Sequence, residues 1–113
     1  MGQAVEALAP EGIRLSVISL AELYEGVFNS TDPAGNERAL LEFISDVDLV
    51  PPDEETCRIF GRERRRLRRA GRMIGDMDLF IAATCLRHNL TLLSNNRRHF
   101  EAVQGLEIIS IDA

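Results

Sequence analysis

The feature that most constrains the fold of this chain is the alternation of short apolar segments with longer segments of helical spacing. Residues 14–18 are apolar and β-branched, as a buried strand requires, and a segment of helical spacing follows directly. Strands that alternate with helices build an α/β domain with a mostly parallel sheet, which is the fold class we predict. Further strands are predicted at residues 47–50, 90–93 and 106–111, and helices at residues 1–10, 19–28, 36–45, 54–70, 77–88 and 97–103.

The size of the chain suits one domain. It has 113 residues, of which 45% are hydrophobic, so it can bury a core. No apolar run is long enough to span a bilayer, and the first residues lack the basic and apolar regions of a secretory signal. We therefore expect a single domain over residues 1–113, in a soluble, cytoplasmic protein without a membrane partner.

The charged residues exclude several functions. The formal net charge is −5, which argues against a general coat for nucleic acid. The chain has no lysine, and all 13 of its basic residues are arginine. A P-loop holds phosphates with a lysine and Schiff-base chemistry needs an amine, so neither can operate here in its usual form.

The cysteines and histidines form no metal-binding pattern. Cys57 and Cys85 are far apart and belong to no CxxC motif, so we expect both to be small buried residues. His88 and His99 lie in polar segments without the spacing of metal ligands, and we expect both at the surface. The sequence thus predicts neither a disulfide nor a zinc site.

Four positions are predicted to mark helix ends. Asp53 is predicted to cap the long helix 54–70, and Gly71 to end it. Asn89 suits the left-handed conformation that often follows a helix. Ser19 and Glu22 match a capping box, which would start a helix at residue 19.

The ends of two predicted strands carry polar residues. In parallel sheets, ligands bind beyond the carboxyl ends of the strands. That rule selects residues 19–22, which follow the first predicted strand, and residues 94–96, which follow the strand at 90–93. These two segments are the first candidates for a functional site.

Three acidic residues could carry chemistry at such a site. Glu22, Asp76 and Asp78 offer the oxygen ligands that a hard divalent cation such as Mg²⁺ prefers, and a shared cation would relieve their mutual repulsion. Each also has a structural interpretation. Glu22 could close the capping box, Asp76 could be an N-cap, and Asp78 could only complement the helix dipole.

A cluster of arginines lies between residues 58 and 72. It could neutralise the phosphates of an RNA backbone, or it could be an ordinary solvated helix face mixed with acidic residues. Phe60 and Leu67, seven residues apart, are the predicted core side of this helix. The arginines are Arg58, Arg62, Arg64, Arg65, Arg66, Arg68, Arg69 and Arg72.

Four segments resemble a known family. Residues 74–83, Ile-Gly-Asp-Met-Asp-Leu-Phe-Ile-Ala-Ala, contain an aspartate before an Ile-Ala-Ala helix start. Residues 92–100 contain a strand, a Ser-Asn-Asn turn and a following phenylalanine, while residues 16–26 match a strand and a helix bearing a glutamate. Residues 105–109 match a closing strand. In this order, they resemble the PIN-domain ribonucleases of the VapC toxin type.

The resemblance implies a Mg²⁺- or Mn²⁺-dependent endoribonuclease with a three-layer α/β/α fold. Its implied metal-site acids are Glu22 and Asp78, with Asp76 as an additional acid. Asn96 takes a further polar position, where its amide could orient water but could not act as a general base. The turn residues Ser94 and Asn95, and also Arg72, are implied as supports for the turn or for RNA.

The family also implies partners and a reaction. Water activated by the cation would attack an RNA phosphodiester while the cation stabilises charge on the phosphate oxygens. We expect a homodimer, inhibited by a VapB-type antitoxin whose C-terminal segment lies across the active groove. A remnant that only binds an antitoxin or another partner, and a nuclease acting on DNA or structured RNA, remain alternatives.

One part of the family pattern is missing from residues 1–10. A complete member opens with a strand ending in an Asp-Thr-Asn-like motif, and that strand lies between the strands found here at 14–18 and 90–93. We therefore expect an N-terminally incomplete domain with reduced activity. A misassigned start, a degraded gene and a strand donated by a partner are the competing explanations.

Overall fold

A computed structural model describes the backbone of residues 4–9, 12–94 and 96–110, and within these ranges the side chains from residue 14 onward. Strands and helices alternate along most of the chain, as predicted. The strands are β1 (Ala4–Ala9), β2 (Gly12–Ser16), β3 (Asp48–Val50), β4 (Thr91–Ser94) and β5 (Ile108–Ile109). The helices are α1 (Val17–Phe28), α2 (Pro33–Ile44), α3 (Glu54–Arg69), α4 (Asp76–His88) and α5 (Arg97–Phe100).

The five strands form one sheet in the order β3-β2-β1-β4-β5. β2 pairs with β3, and β4 pairs with β5, in parallel. β1 pairs antiparallel with both β2 and β4, so the other four strands all point in the same direction. The predicted α/β class with a mostly parallel sheet is confirmed, with β1 as the one reversed strand.

The prediction of a helix within residues 1–10 is wrong for the described part of that segment. Ala4–Ala9 is a strand, and it occupies the central position that the resemblance gives to the family's first strand. Ala7 pairs with Arg14 on one side and with Leu92 on the other. Alanine favours helices locally, but two facing strand edges supply backbone partners on both sides, and this tertiary pairing overrides the local preference. The sheet is therefore continuous.

The start of α1 also differs from the prediction. Ser16 is the N-cap, and its hydroxyl accepts hydrogen bonds from the backbone N–H groups of Ile18 at 2.9 Å and Ser19 at 3.4 Å. The helix therefore begins at Val17, and the predicted capping box of Ser19 and Glu22 is wrong. The apolar residues Val17 and Ile18 favour a strand, but the serine before them satisfies the helix end first.

The predicted ends of α3 and α4 agree with the structure. Asp53 forms a capping box with Thr56, whose backbone N–H donates to the Asp53 carboxylate at 2.9 Å. This bond, the Thr56 hydroxyl and then Arg87 lower the pKa of Asp53 to about 2. Gly71 has a φ of 73° and Asn89 a φ of 57°, so both take the left-handed conformation that the helix ends need.

The main core lies where α3, α4 and the sheet meet. Leu67 of α3, Leu79 and Cys85 of α4, Leu92 of β4 and Phe100 of α5 are all buried there. Burial raises the pKa of the Cys85 thiol to about 12, so this cysteine packs as an apolar side chain.

The packing also decides the positions of the cysteines. Cys57 is free and exposed, so the prediction that both cysteines are buried is wrong for Cys57. Its position on the outer side of α3 follows from the helix rotation rather than from its residue type. Among the described helices, none combines the length and apolarity needed to cross a bilayer.

Candidate functional site

The topology brings three polar segments to one edge of the sheet. β2 and β4 point in the same direction, so their carboxyl ends lie at the same edge. α1 follows β2 directly, and the turn before α5 follows β4. α1 also contacts α4, which brings the first turn of α4 to this region. Glu22, Asp78 and the residues after Ser94 come from these three segments.

Glu22 is the most unusual of the candidate side chains. It lies inside α1, and its Oε1 atom is buried without a hydrogen-bond partner among the described residues. Burial, followed by the negative charges of Asp78 and Glu25, raises the pKa of the Glu22 carboxyl. Since Glu22 does not cap the helix, the structural interpretation of this residue is removed. A buried carboxylate oxygen that a second acid repels is costly without a counter-charge.

Asp78 lies in the first turn of α4 and faces inward. Its side chain is only 14% exposed, and its Oδ2 atom is 3.1 Å from Nδ1 of His99. Gly75 is the N-cap of this helix and provides no side-chain cap. The positive end of the helix dipole therefore favours a negative charge at Asp78.

Asp76 has a different environment, although it is only two residues away. Its side chain is 79% exposed and forms an ion pair with Arg64. Arg64 also donates to the carbonyl of Ile74 at 3.0 Å, which ties α3 to the segment before α4. Asp76 is the first residue of α4 and Gly75 is its cap, so the alternative interpretation of Asp76 as an N-cap is wrong.

The turn after β4 is ordered by Ser94. This serine is buried, and its hydroxyl accepts a hydrogen bond from the backbone N–H of Asn96 at 2.9 Å. The side-chain amide of Asn96 is 3.1 Å from Nδ1 of His99. Asn95 lies outside the described residues. The turn thus brings Asn96 and His99 to Asp78.

His99 is a residue at this edge to which the sequence pattern assigns no role. Its predicted surface position agrees with its 52% exposure, but its contact with Asp78 also places it in the site. Asn96 and His99 are three residues apart at the start of a short helix, a spacing that puts both side chains on one face. This spacing of three residues from the candidate turn 94–96 is the sequence feature that could have indicated His99 as a site residue.

The donor set suits a hard divalent cation, although it is not assembled in advance. No group of three His, Cys, Asp or Glu side chains within the described ranges is arranged as a ready metal cluster. Nevertheless, Glu22 offers a buried oxygen that no described residue partners, and the charge of Asp78 acts on the same carboxyl group. Carboxylate oxygens in this state fit Mg²⁺ or Mn²⁺, which bind through one or two carboxylates and retain waters.

Most arginines of α3 fall into two groups. Arg64 and Arg66 are held by protein partners: Arg64 by Asp76, and Arg66 by Glu63 and the carbonyl of Ala102. Others lie on the opposite face from the core, because their spacing of four, three and four residues follows one side of the helix. This exposed stripe consists of Arg58, Arg62, Arg65 and Arg69, and the buried face consists of Thr56, Ile59, Glu63 and Leu67.

Most of the exposed stripe is not engaged by the protein. Arg58 pairs with Glu55 at 3.5 Å. The other three members form no ion pair with a residue that the structure describes, and Arg72, in the turn after α3, is also exposed. Exposed arginines without protein partners remain available for an anionic ligand.

Comparison with known proteins points to one family. The family model described as PIN domain matches residues 2–106. The chain is 31% identical over 108 residues to Ribonuclease VapC1 of Haemophilus influenzae strain R2866, covering 95% of this chain and 81% of that protein. It is 32% identical over 111 residues to Ribonuclease VapC5 of Mycobacterium tuberculosis, covering 96% and 82%.

The fold comparison agrees. The structure matches VapBC2 from Rickettsia felis, solved with a DNA fragment from its promoter, with a TM-score of 0.83 and 31% identity. The match covers 88% of this chain and 74% of that one.

Proposed function

Because this chain belongs to the PIN-domain family, we propose that it is a VapC-type endoribonuclease whose activity is controlled by an antitoxin. The observation that carries the proposal is the buried Oε1 atom of Glu22, on which the charge of Asp78 acts. A buried carboxyl oxygen that has no partner among the described residues, and that a second acid repels, would cost stability if it served only the fold. It is better explained as half of a site for a divalent cation.

The roles of the acids follow from their surroundings. PIN-domain ribonucleases of this type generally depend on a divalent cation, and we propose Mg²⁺ or Mn²⁺, held by Glu22 and Asp78. When bound, the cation would stabilise charge on the phosphate oxygens and ease the loss of a proton from the attacking water. Asp76 is proposed as an additional acid that Arg64 holds beside the site.

We propose that the turn after β4 positions the side chain of Asn96 at the same edge of the sheet as Glu22 and Asp78. Ser94 holds the backbone of Asn96 through its hydroxyl, so the Asn96 amide has a defined direction. An amide has no useful basicity, and Asn96 can only orient water or a phosphate oxygen by hydrogen bonding. Asn95 and Arg72 are proposed as weaker supports for the turn or for the RNA.

The proposed partners are RNA as substrate and a VapB-type antitoxin as inhibitor. Several solved structures similar to this chain are VapBC complexes, and the one from Rickettsia felis is bound to DNA from its promoter. We propose a homodimer with one domain over residues 1–113, acting in the cytoplasm. The arginine stripe of α3 is proposed to contact the RNA backbone, because its members are exposed and most lack a protein partner among the described residues.

The test is cation-dependent cleavage of a mixed RNA pool. We expect cleavage with Mg²⁺ or Mn²⁺ and none after chelation. Asp78→Asn should abolish it, since the change removes a charge without changing the volume. Asp46→Asn, an exposed residue on the loop before β3, is the matched control and should cleave normally.

Asp76→Asn decides the role of the third acid. A loss of activity comparable to that of Asp78→Asn would make Asp76 part of the site, and full activity would limit it to the ion pair with Arg64. Cleavage that survives both chelation and Asp78→Asn would contradict the proposed mechanism. A chain that does not cleave but still binds a VapB-type antitoxin would instead be a binding module.

A further inference from the structure

The imidazole of His99 lies against the carboxylate of Asp78. Nδ1 of His99 is 3.1 Å from Oδ2 of Asp78 and also 3.1 Å from Nδ2 of Asn96. These residues come from α4, α5 and the turn before α5, so the contact joins two of the three segments that meet at the site. Asp78 is mostly buried, but half of the His99 side chain is open to solvent.

Nδ1 of His99 faces two polar groups, the side-chain amide of Asn96 and the carboxylate of Asp78. When the Asn96 amide donates to Nδ1, then Nδ1 is an acceptor, and two acceptors face each other across 3.1 Å. A metal ion between Nδ1 and Oδ2 would give both atoms a positive partner.

The distance itself fits a metal ion. Two ligands at right angles on an ion with bonds of about 2.1 Å are separated by about 3.0 Å. The observed separation of 3.1 Å therefore lets Nδ1 and Oδ2 bind one ion as neighbouring ligands with little movement. The solvent-exposed edge of the imidazole gives an ion a route into the position.

We propose that His99 is a direct nitrogen ligand of the divalent cation, beside the carboxylate of Asp78. The inference rests on the proposed function, because it places the cation at Asp78. An imidazole in the donor set disfavours Mg²⁺, which takes oxygen ligands, and suits the first-row transition metals. This site should therefore prefer Mn²⁺ over Mg²⁺.

The test uses the spectroscopy of bound Mn²⁺ rather than activity. The chain has only two histidines, His88 and His99, so a tag-free protein gives an unambiguous signal. Pulsed electron paramagnetic resonance of one equivalent of Mn²⁺ should show coupling to a single imidazole nitrogen. The coupling should persist in His88→Gln and disappear in His99→Gln.

Calorimetry gives the matching affinities. His99→Gln should weaken Mn²⁺ binding by about 10- to 100-fold, the range already seen when groups that only support metal ligands are removed. Binding of Mg²⁺ should change much less. His99→Asp, which replaces the nitrogen by an oxygen, should reduce the preference for Mn²⁺ while keeping a bound cation.

The outcomes separate this inference from the proposed function. Mn²⁺ that binds with oxygen ligands alone, or nitrogen coupling that survives in His99→Gln, overturns the role of His99 and leaves the nuclease proposal standing. Nitrogen coupling in a protein that cleaves no RNA supports the ligand and overturns the nuclease. A protein that binds no Mn²⁺ overturns both the ligand and the proposed cation site.

Discussion

At the scale of single residues, the candidate site contains polar side chains whose arrangement destabilises the fold. Glu22, on α1, is half-buried and its buried Oε1 atom is unpartnered among the described residues, and Asp78 acts on it as a like charge. Asp78 in turn contacts His99, while Asp76 is satisfied by Arg64 at the surface. A local energetic cost of this kind is expected where function, rather than stability, selects the residue.

Glu22→Gln should therefore stabilise the cation-free protein at neutral pH. The change removes a half-buried charge that Asp78 and Glu25 repel. Because solvent screens a partly exposed group, we expect the free energy of unfolding to rise by less than about 1 kcal/mol and Tm to rise slightly. Thermal unfolding in the presence of a chelator measures the effect. Glu25→Gln, an exposed change on the same helix, is the control and should have a smaller effect.

The same variant has a defined pH dependence. The pKa of Glu22 is raised in the folded state, so the folded protein holds this proton more tightly than the unfolded chain does. The resulting stabilisation is complete below the ordinary pKa of 4.5 and is lost as the pH rises through the folded-state value. The Tm advantage of Glu22→Gln should therefore be largest near neutral pH and should vanish in acid. An advantage that is equal at all pH values would contradict this account.

At the scale of elements, α3 connects the core to the edge of the site. Its buried face packs against α4, where the rings of Phe60 and Phe80 stack at 4.1 Å. Its opposite face carries the exposed arginine stripe. One face of α3 therefore packs in the core, and the opposite face is available to a ligand. The mixture of arginines and acidic residues in its sequence by itself indicates only a solvated helix.

Replacing Arg62, Arg65 and Arg69 with alanine should weaken RNA binding without unfolding the protein, since all three side chains are exposed. For single-stranded RNA, each phosphate that is no longer neutralised should reduce the slope of log K against log salt by about 0.7. Arg38→Ala, on α2, is the control. Unchanged affinity and slope in the triple variant would identify the stripe as an ordinary solvated face.

At the scale of the whole molecule, the sheet is continuous because β1 fills its centre. The strand runs opposite to its neighbours, yet it pairs with β2 on one side and β4 on the other. β4 carries the turn of the site and β2 leads into the helix of Glu22. The spacing of the site therefore depends on a strand that bears none of its described side chains.

Hydrogen exchange tests this arrangement. The backbone amides of Ala7 and Leu8 should exchange about as slowly as that of Leu92, because a central strand is paired on both sides. Ile109, on the edge strand β5, serves as the comparison and should exchange faster. Fast exchange throughout Ala4–Ala9, with slow exchange in β4, would show that β1 does not hold the centre of the sheet.

Features that depend on short-range chemistry could be predicted from the residues alone. Asp53 caps α3 and Asn89 turns the chain after α4, because capping and left-handed backbone depend on the residue and its immediate neighbours. The run of apolar residues after Asp78 likewise predicted that α4 is buried. The rule that ligands bind beyond the carboxyl ends of parallel strands selected the turn at Ser94.

The remaining features arise from contacts between distant parts of the chain. Ala4–Ala9 is a strand because two distant strand edges need partners, which no local pattern can encode. His99 meets Asp78 across 21 residues of sequence, so their contact arises only when α5 packs against α4. Most side chains of the candidate site could be proposed from the sequence, but their grouping, and the different environments of Asp76 and Asp78, follow from how the elements pack.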